Sequence, residues 1–260
     1  DYLRASIAEV EEFGEHSDKA GMTETAKKLS RKVIEDIGYR RRFLLAHASF
    51  RSAAQQVLDQ ATAERRELKP SELKQAIQLG VCAVFSAIEV GGAPVRVENV
   101  LGMPFGVEDA WLRFTGETCT VAIPAAFVKN RKAIRFAIQP CRYKFADTVI
   151  WFVNRIRPLM LKDPTSDAVR PSRWLIPMRS DVERPCLYET FLTWFTTLSR
   201  DAVGVPCRPH NYRHGPASLL YHPHPDPLGW IAPRLPDTPA VALPTSARVH
   251  PEHARPAGQQ

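Results

Sequence analysis

The sequence lacks any pattern of paired cysteines. Its five cysteines are scattered along the chain with no CxxC pair, and their odd number indicates free thiols in a reducing compartment rather than a disulfide framework. This cysteine usage predicts a cytoplasmic protein. No internal repeat is found along the 260 residues, so a solenoid or another repeat architecture is not expected.

Long apolar runs are also missing. No segment approaches the ~18 to 20 continuous apolar residues of a membrane span. The opening residues, DYLRASIAEVEEFGE, have neither the basic start nor the apolar run of a signal peptide. We therefore expect no membrane partner. The chain begins with Asp1 rather than Met, which leaves open that it is a fragment of a longer protein whose N-terminal domain is missing.

The sequence does contain enough apolar residues for a core, together with an excess of positive charge. Apolar residues make up 44% of the chain, which suffices for one large domain or two modest ones. Lys and Arg number 35 against 28 Asp and Glu, giving a net charge of +7. This balance favours an anionic partner such as nucleic acid.

Helical patterns dominate the first part of the chain. Residues 23–68 carry apolar positions at helical spacing among many basic residues, and a new helix is predicted to start near Pro70 with Ser71 as its cap. The helix predicted from Leu73 to Val90 is apolar on most sides and should lie in the core. The breaker GGAP ends this helix, and Arg96 follows among apolar neighbours.

A small antiparallel sheet is predicted in the middle of the sequence. Segments with strand-like composition are Trp111–Phe114, Cys119–Ile123 and Ala133–Ile138. The basic turn between the last two segments carries Lys129. Beyond the sheet, the pattern predicts a helix over Tyr143–Leu161, a short strand over Trp174–Pro177 and a helix over Leu187–Val203.

The segment PHNYRHGPASLLY (209–221) places His210, Arg213 and His214 directly ahead of a short apolar run that is predicted to be helical. Residues 223–260 are rich in proline. A proline inside a helix removes a hydrogen bond and costs about 3 kcal/mol. This last segment therefore cannot be a regular helix throughout.

The order and context of Arg96, Lys129 and His210-x-x-Arg213-His214 resemble the tyrosine recombinases, the phage-integrase family of DNA strand transferases. The resemblance covers residues 70–222, and its pieces follow one another in the family's order. They are the buried helix before PVRVEN (94–99), the hairpin lysine in VKN (128–130), the segment WLIP (174–177) and the His-x-x-Arg-His segment that opens a helix.

The resemblance implies a role for each of these residues. In the family, a tyrosine hydroxyl attacks a DNA phosphodiester and forms a 3′-phosphotyrosyl link without metal or cofactor. Arg96 and Arg213 would hold the non-bridging oxygens, and His210 would bond the phosphate or assist proton movement. Lys129 would protonate the leaving oxygen. His214 would be either a supporting group beside Arg213 or a structural histidine.

The sequence departs from the family toward its C-terminus. The family has a Leu-Gly-His segment there and, about nine residues later, the nucleophilic tyrosine. Here Leu-Pro-Asp ends at Asp237 where the histidine is expected, Ser246 stands where the tyrosine should fall, and no tyrosine follows Tyr221. Tyr221, Tyr212 and Tyr188 are poor substitutes. The chain is therefore expected to be deficient in strand cleavage, through decay, truncation or an altered reading frame, unless the nucleophile comes from elsewhere.

The resemblance also implies an organisation and partners. The expected fold is α+β, mostly helical, with a recombinase-like catalytic domain over 70–222 that contains the small antiparallel sheet. Residues 1–69 would be the end of a helical DNA-clasping domain plus a linker, and residues 223–260 a degenerate tail. Double-stranded DNA is the expected partner, with a tetramer on paired sites or an active recombinase as the possible protein partner.

Other interpretations stay open. Taken singly, Arg96 could form a structural ion pair with Glu98 or Glu89, and Lys129 could simply be solvated. The protein could be a non-catalytic accessory or regulatory DNA-binding protein of the same fold. A distant alternative is a metal-dependent hydrolase that uses His222, His224 and Asp226, because two histidines and a carboxylate are good zinc ligands.

Overall fold

A computed structural model describes residues 23–166 and 168–221. Within these ranges the chain is mostly helical and contains one three-stranded antiparallel sheet, which confirms the predicted α+β class. Five residues named from the sequence lie outside the described residues: His222, His224, Asp226, Asp237 and Ser246.

The described elements follow one another from Glu24 to Tyr221. The first helices are α1 (Glu24–Glu35), α2 (Ile37–Leu44), α3 (Ala46–Ala63), α4 (Pro70–Gly91) and α5 (Val97–Leu101). The strands are β1 (Leu112–Thr115), β2 (Thr118–Ile123) and β3 (Ile134–Ile138). The remaining helices are α6 (Phe145–Trp151), α7 (Arg157–Leu161), α8 (Tyr188–Asp201), α9 (Pro209–Tyr212) and α10 (His214–Tyr221).

The first two helices begin at side-chain caps. The Thr23 hydroxyl accepts a hydrogen bond from the Ala26 N–H at 3.2 Å, and the Asp36 carboxylate accepts one from the Tyr39 N–H at 2.8 Å. Each cap satisfies a backbone donor that has no partner within its helix. The helices predicted over residues 23–68 are therefore present, divided into three by the short breaks at residues 36 and 45.

Helices α3 and α4 form an antiparallel pair joined by a short connection. Helix α4 starts at Pro70, and its first turn is closed by the Glu72 carboxylate, which accepts a hydrogen bond from the Lys69 N–H at 2.9 Å. The predicted cap at Ser71 is wrong, because Pro70 already occupies the first helical position, which suits its fixed φ and missing N–H. Lys69 is therefore the capping residue, and Ser71 lies inside the helix.

Helix α4 is the central helix of the structure. Every residue from Leu79 to Gly91 is buried. By length and composition it could cross a membrane, with a mean hydropathy of 1.4, but 78% of the qualifying window is buried inside the protein. Burial among neighbouring helices accounts for its apolar character, as predicted for a core helix.

The sheet has the strand order β1-β2-β3, with both pairs antiparallel. Val121 lies opposite Leu112 on one side and opposite Phe136 on the other. Burial alternates along β2, so that Cys119, Val121 and Ile123 face the core. The predicted sheet is thus confirmed, and Lys129 lies in the connection between β2 and β3.

The strand predicted over Trp174–Pro177 is not formed. This segment makes only isolated bridges, from Trp174 to Pro104 and from Pro177 to Pro185. Proline has no N–H to donate to a ladder, so the pairing cannot extend through these positions. The helix predicted over Tyr143–Leu161 is present, although a π-helical turn at Phe152–Ile156 divides it into α6 and α7.

One hydrophobic core joins the helices on both sides of Pro70. The ring of Phe43 in α2 stacks on Tyr212 in α9 with centroids 4.4 Å apart. Phe50 in α3 lies 5.9 Å from Phe195 in α8, and Phe85 in α4 lies 5.2 Å from the same ring. Pro70 therefore begins a helix, as predicted, and the helices that precede it pack on the same core as those that follow.

Candidate functional site

The end of α4 positions Arg96. At Gly91 and Gly92 a Cβ atom would lie 2.5 Å from Phe145 and 2.2 Å from Phe136, so glycine allows these two rings to close over the helix end. The chain then turns, and Arg96 becomes the N-terminal capping residue of α5. Its neighbours Val95 and Val97 are buried, whereas the side chain of Arg96 is exposed. The arginine is therefore not part of a buried ion pair.

The segment with His210, Arg213 and His214 folds as two short helices rather than one. Helix α9 ends at Tyr212, and α10 begins at His214. Pro216 has no N–H and cannot donate to the carbonyl of Tyr212, which interrupts the helical ladder at Arg213. The Tyr212 ring stacks on Phe43, and its hydroxyl donates to the Phe43 carbonyl at 3.0 Å. This anchor fixes the break that carries Arg213.

Arg96, His210 and Arg213 lie close enough for the charge of one to shift the pKa of another. Partial burial lowers the pKa of His210, the cations of Arg213 and Arg96 lower it further, and Glu98 opposes them. Burial also lowers the pKa of Arg213, and Arg96 contributes in the same direction. A charge acts on a titratable group only at short range, so Arg96 at the start of α5 lies near the break between α9 and α10. We call Arg96, His210 and Arg213, with the carboxyls of Glu89 and Glu98, the arginine site.

His214 lies at the edge of the arginine site. Its ring centroid is 6.0 Å from that of His210, and the two planes are 79° apart. Burial, followed by the charges of Arg213 and His210, lowers the pKa of His214 to about 4. At neutral pH this ring is uncharged, so His214 supports the site as a packed neutral group.

Glu89 is the component of the arginine site whose position could not be predicted from the sequence. It is 1% exposed, and its carboxyl lies near the backbone N–H of Val95. Burial raises the pKa of Glu89 well above its usual range, and the charge of Arg213 opposes that shift. The sequence carries one signal for an unusual role of Glu89, which is the one acidic residue in the apolar run QAIQLGVCAVFSAIEV. It lies beside Arg213 rather than in an ion pair with Arg96.

Lys129 is not among the residues that are coupled at the arginine site. It is exposed in the connection between β2 and β3, where Val128 is buried and Arg131 has a left-handed backbone with φ of 56°. Arg96, His210 and Arg213 are thus within range of one another's charge, and Lys129 lies exposed in the hairpin where the resemblance places it.

Two of the three tyrosines named from the sequence have described side chains. Tyr212 is buried, and burial raises the pKa of its phenol well above the usual range, so it cannot serve as a nucleophile. Tyr188 begins α8 and is half-buried. Burial, together with the charges of Glu98 and Glu189, raises its pKa, while Arg208 lowers it. Tyr221 lies in α10, and its side chain is not described.

The arrangement can hold an anion. Two guanidiniums offer planar donor forks, and the neutral imidazole of His210 can gain a proton when a negative charge arrives. No group of three or more His, Cys, Asp or Glu side chains that could hold a metal ion occurs in residues 23–166 and 168–221. The chemistry available from the described residues is therefore that of a cationic cradle for an oxyanion such as phosphate.

Comparisons of this chain with protein-family models, with curated proteins and with solved structures find no match.

Proposed function

We propose that this chain binds duplex DNA as a recombinase-type domain whose own strand cleavage is lost or severely reduced. The observation that carries the proposal is the convergence of Arg96 with His210 and Arg213, which follow it by 114 and 117 positions, at one end of α4. Two arginines and a histidine at one place suit a phosphodiester, whose two non-bridging oxygens accept bidentate hydrogen bonds.

The recombinase-like fold over residues 70–222 is part of the same proposal. A buried helix leads to Arg96, a three-stranded sheet carries Lys129 in a hairpin, and a helix break carries Arg213, in the order that the resemblance requires. Loss of cleavage is supported by the burial of Tyr212 and by Asp237 and Ser246 at the positions expected for a histidine and a tyrosine. A tetramer on paired sites stays a prediction.

Binding is tested by titrating a fluorescent DNA duplex with the protein at several salt concentrations. Arg96→Gln and Arg213→Gln should each weaken binding by roughly 10- to 100-fold, because each removes charged hydrogen bonds to a phosphate. The matched control is Arg66→Gln, which removes the same charge from a side chain that is bonded to Glu64 and Glu72. Absence of salt-sensitive duplex binding, or equal losses in all three variants, would refute the proposal.

Cleavage is tested separately with a nicked suicide substrate, which traps any covalent protein–DNA adduct. We expect none from the unmodified chain. A trapped adduct would contradict the claim of lost cleavage, and its disappearance in Tyr188→Phe would identify Tyr188 as the nucleophile. Tyr39→Phe serves as the control, because Tyr39 is buried in α2 and does not belong to the arginine site.

A further inference from the structure

A second group of cations lines an open cleft along α3. The cleft has a volume of about 570 Å³, and its cations are Arg51 from α3 and Arg142 and Lys144 from the connection between β3 and α6. We call it the α3 cleft. The sequence gives no hint of it, because Arg51 is separated by about 90 residues from the other two cations.

The wall that carries Arg142 and Lys144 is held in place by hydrogen bonds from two helices. The Nε2 atom of His47 in α3 lies 2.8 Å from the carbonyl oxygen of Tyr143. The Thr148 hydroxyl in α6 donates to the Lys144 carbonyl at 2.8 Å, and the Lys144 N–H donates to the Cys141 carbonyl at 2.9 Å. The connection between β3 and α6 is therefore held in place by α3 on one side and by α6 on the other.

Aromatic rings orient the two guanidiniums. The Arg51 guanidinium lies over the Trp151 ring at 5.5 Å, and the Arg142 guanidinium lies over the Tyr143 ring at 4.8 Å. The indole N–H of Trp151 donates to the Gln55 side chain at 2.8 Å, which fixes the ring beneath Arg51. A guanidinium stacked on a ring keeps N–H donors at its edge for a ligand.

The cleft carries an excess of positive charge. Asp59 is the one acidic residue among those that line it, and its carboxylate accepts a hydrogen bond from Gln55 at 2.7 Å. Asp147 lies near Arg51 and raises its pKa, although burial of Arg51 outweighs this effect. Within the described ranges, none of the three cations forms a salt bridge. Their charges are therefore available to an anionic ligand.

The cleft opens at the same end of the helix pair as the arginine site. The His47 ring at the start of α3 lies 4.2 Å from Phe145, and Phe145 packs against Gly91 at the end of α4. Arg96 follows five positions later. From this end the cleft runs along α3 past Arg51, with Asp59 two turns further on.

We propose that the α3 cleft binds backbone phosphates of the same DNA duplex that the arginine site grips. Two cationic sites at one end of the helix pair, one a cradle and one a cleft, fit an extended polyanion rather than a single small phosphate. The identity of the ligand rests on the proposed function. The cleft itself rests on the observed placement of Arg51, Arg142 and Lys144.

The test replaces all three cleft cations by glutamine and measures binding of a duplex of about 20 base pairs at several salt concentrations. Each phosphate that a protein cation neutralises contributes about 0.9 to the slope of log K against log salt, so the slope should become shallower by about 2 to 3. The matched control removes three exposed cations from the opposite end of the helix pair, Arg65→Gln, Lys69→Gln and Lys74→Gln. It should leave the slope unchanged.

A second measurement reports on the cleft alone. With 5-fluorotryptophan, the fluorine signal of Trp151, assigned with Trp151→Phe, should shift when DNA is added to the unmodified protein. The shift should disappear in the triple cleft variant and persist in Arg96→Gln. Arg51→Lys with Arg142→Lys keeps the charge and should retain binding, which separates loss of charge from a folding defect.

The outcomes distinguish the two proposals. A triple cleft variant with unaltered affinity and salt slope, or a Trp151 signal that stays fixed while DNA binds, overturns the cleft alone. Loss of binding in the cleft variant with no effect of Arg96→Gln or Arg213→Gln overturns the arginine site and supports the cleft. Absence of salt-sensitive duplex binding by the unmodified chain overturns both.

Discussion

The two ends of the α3–α4 pair differ in how their charged side chains are paired. At the turn end, the Arg66 guanidinium donates to Glu72 at 2.6 and 2.8 Å and to Glu64 at 2.5 Å. At the open end, Arg96 is exposed, and Arg213 lies near Glu89, whose carboxyl is buried. One end closes a turn with hydrogen-bonded ion pairs, and the other holds an exposed guanidinium and a buried carboxyl.

The pKa values of two carboxyls, one at each end, express the same difference. Hydrogen bonds from Arg66 lower the pKa of Glu72 to about 2. Burial raises the pKa of Glu89, despite the nearby charge of Arg213. An ionised side chain whose neighbours supply its hydrogen bonds stabilises the fold. Cations that have no hydrogen-bonded acid beside them retain their affinity for an external anion.

Acid should loosen the open end before the turn end. Burial lowers the pKa of His47 to about 4 from an ordinary value of 6.5. As the pH falls from 6.5 to 4, His47 therefore binds a proton in the unfolded chain but not in the folded protein. This difference lowers the free energy of unfolding by about 3 kcal/mol at pH 4. Glu72, with its low pKa, should keep the turn end intact over this range.

The measurement is the urea-induced unfolding of the unmodified chain and of His47→Gln at several pH values between 7 and 4.5. Glutamine can still donate to the Tyr143 carbonyl but does not titrate, so the variant should lose less stability in acid. Only the difference between the two proteins is informative, because His214 titrates in the same direction. Parallel pH curves would show that His47 does not cause the acid sensitivity.

A methyl group at Gly215 should damage the open end. The Cβ atom of an alanine there would lie 2.3 Å from the Phe43 ring, which stacks on Tyr212 next to Arg213. Overpacking of this kind costs about 1 to 3 kcal/mol. Gly215→Ala should therefore lower the free energy of unfolding and weaken DNA binding together.

The control is Gly38→Ala in α2, where the nearest atom to the new Cβ is the Asp36 carboxylate oxygen that caps the helix, at 3.3 Å. That oxygen must shift slightly, which offsets the helix-propensity gain of about 0.5 to 1 kcal/mol, so the stability should change less than in Gly215→Ala. Equal stability of Gly215→Ala and the unmodified chain in denaturant titrations would show that the Phe43 contact is not tight.

The same substitution should have opposite signs at the two ends. Glu72 has a lowered pKa, so its ionised form stabilises the fold above pH 4.5, and Glu72→Gln should lower stability at pH 7. Glu89 has a raised pKa, so stability falls as the pH rises above 4.5, and Glu89→Gln should remove that fall. Unfolding at pH 5 and pH 8 tests both, and equal signs for the two variants would contradict the comparison.

Much of the fold could be predicted because local patterns agree with the final structure. The apolar run before the glycine pair specified α4, and alternating residues specified the three strands. Two details of the prediction were wrong, and prolines are the reason in both cases. Pro70 displaced the predicted cap at Ser71, and prolines at 177 and 185 limited the Trp174 segment to isolated bridges.

The candidate site could be predicted only in part. Arg96, His210 and Arg213 stand out in sequence because basic residues precede or interrupt apolar segments, and the structure brings them together. Lys129 lies in the connection between β2 and β3, as the sequence predicted. The position of Glu89 beside Arg213 could not be predicted, because no local sequence pattern indicates that a residue in α4 contacts one more than 120 positions later.

The sequence by itself determined the elements and the residue types, since helix periodicity, strand alternation, glycine and proline act over a few residues. The tertiary structure decided which charges meet. Whether an arginine is hydrogen-bonded to carboxylates, as Arg66 is, or buried beside a carboxyl and a second arginine, as Arg213 is, depends on how the chain folds around it. Such contacts arise only when the core closes and sets the burial and the neighbours of each charged group.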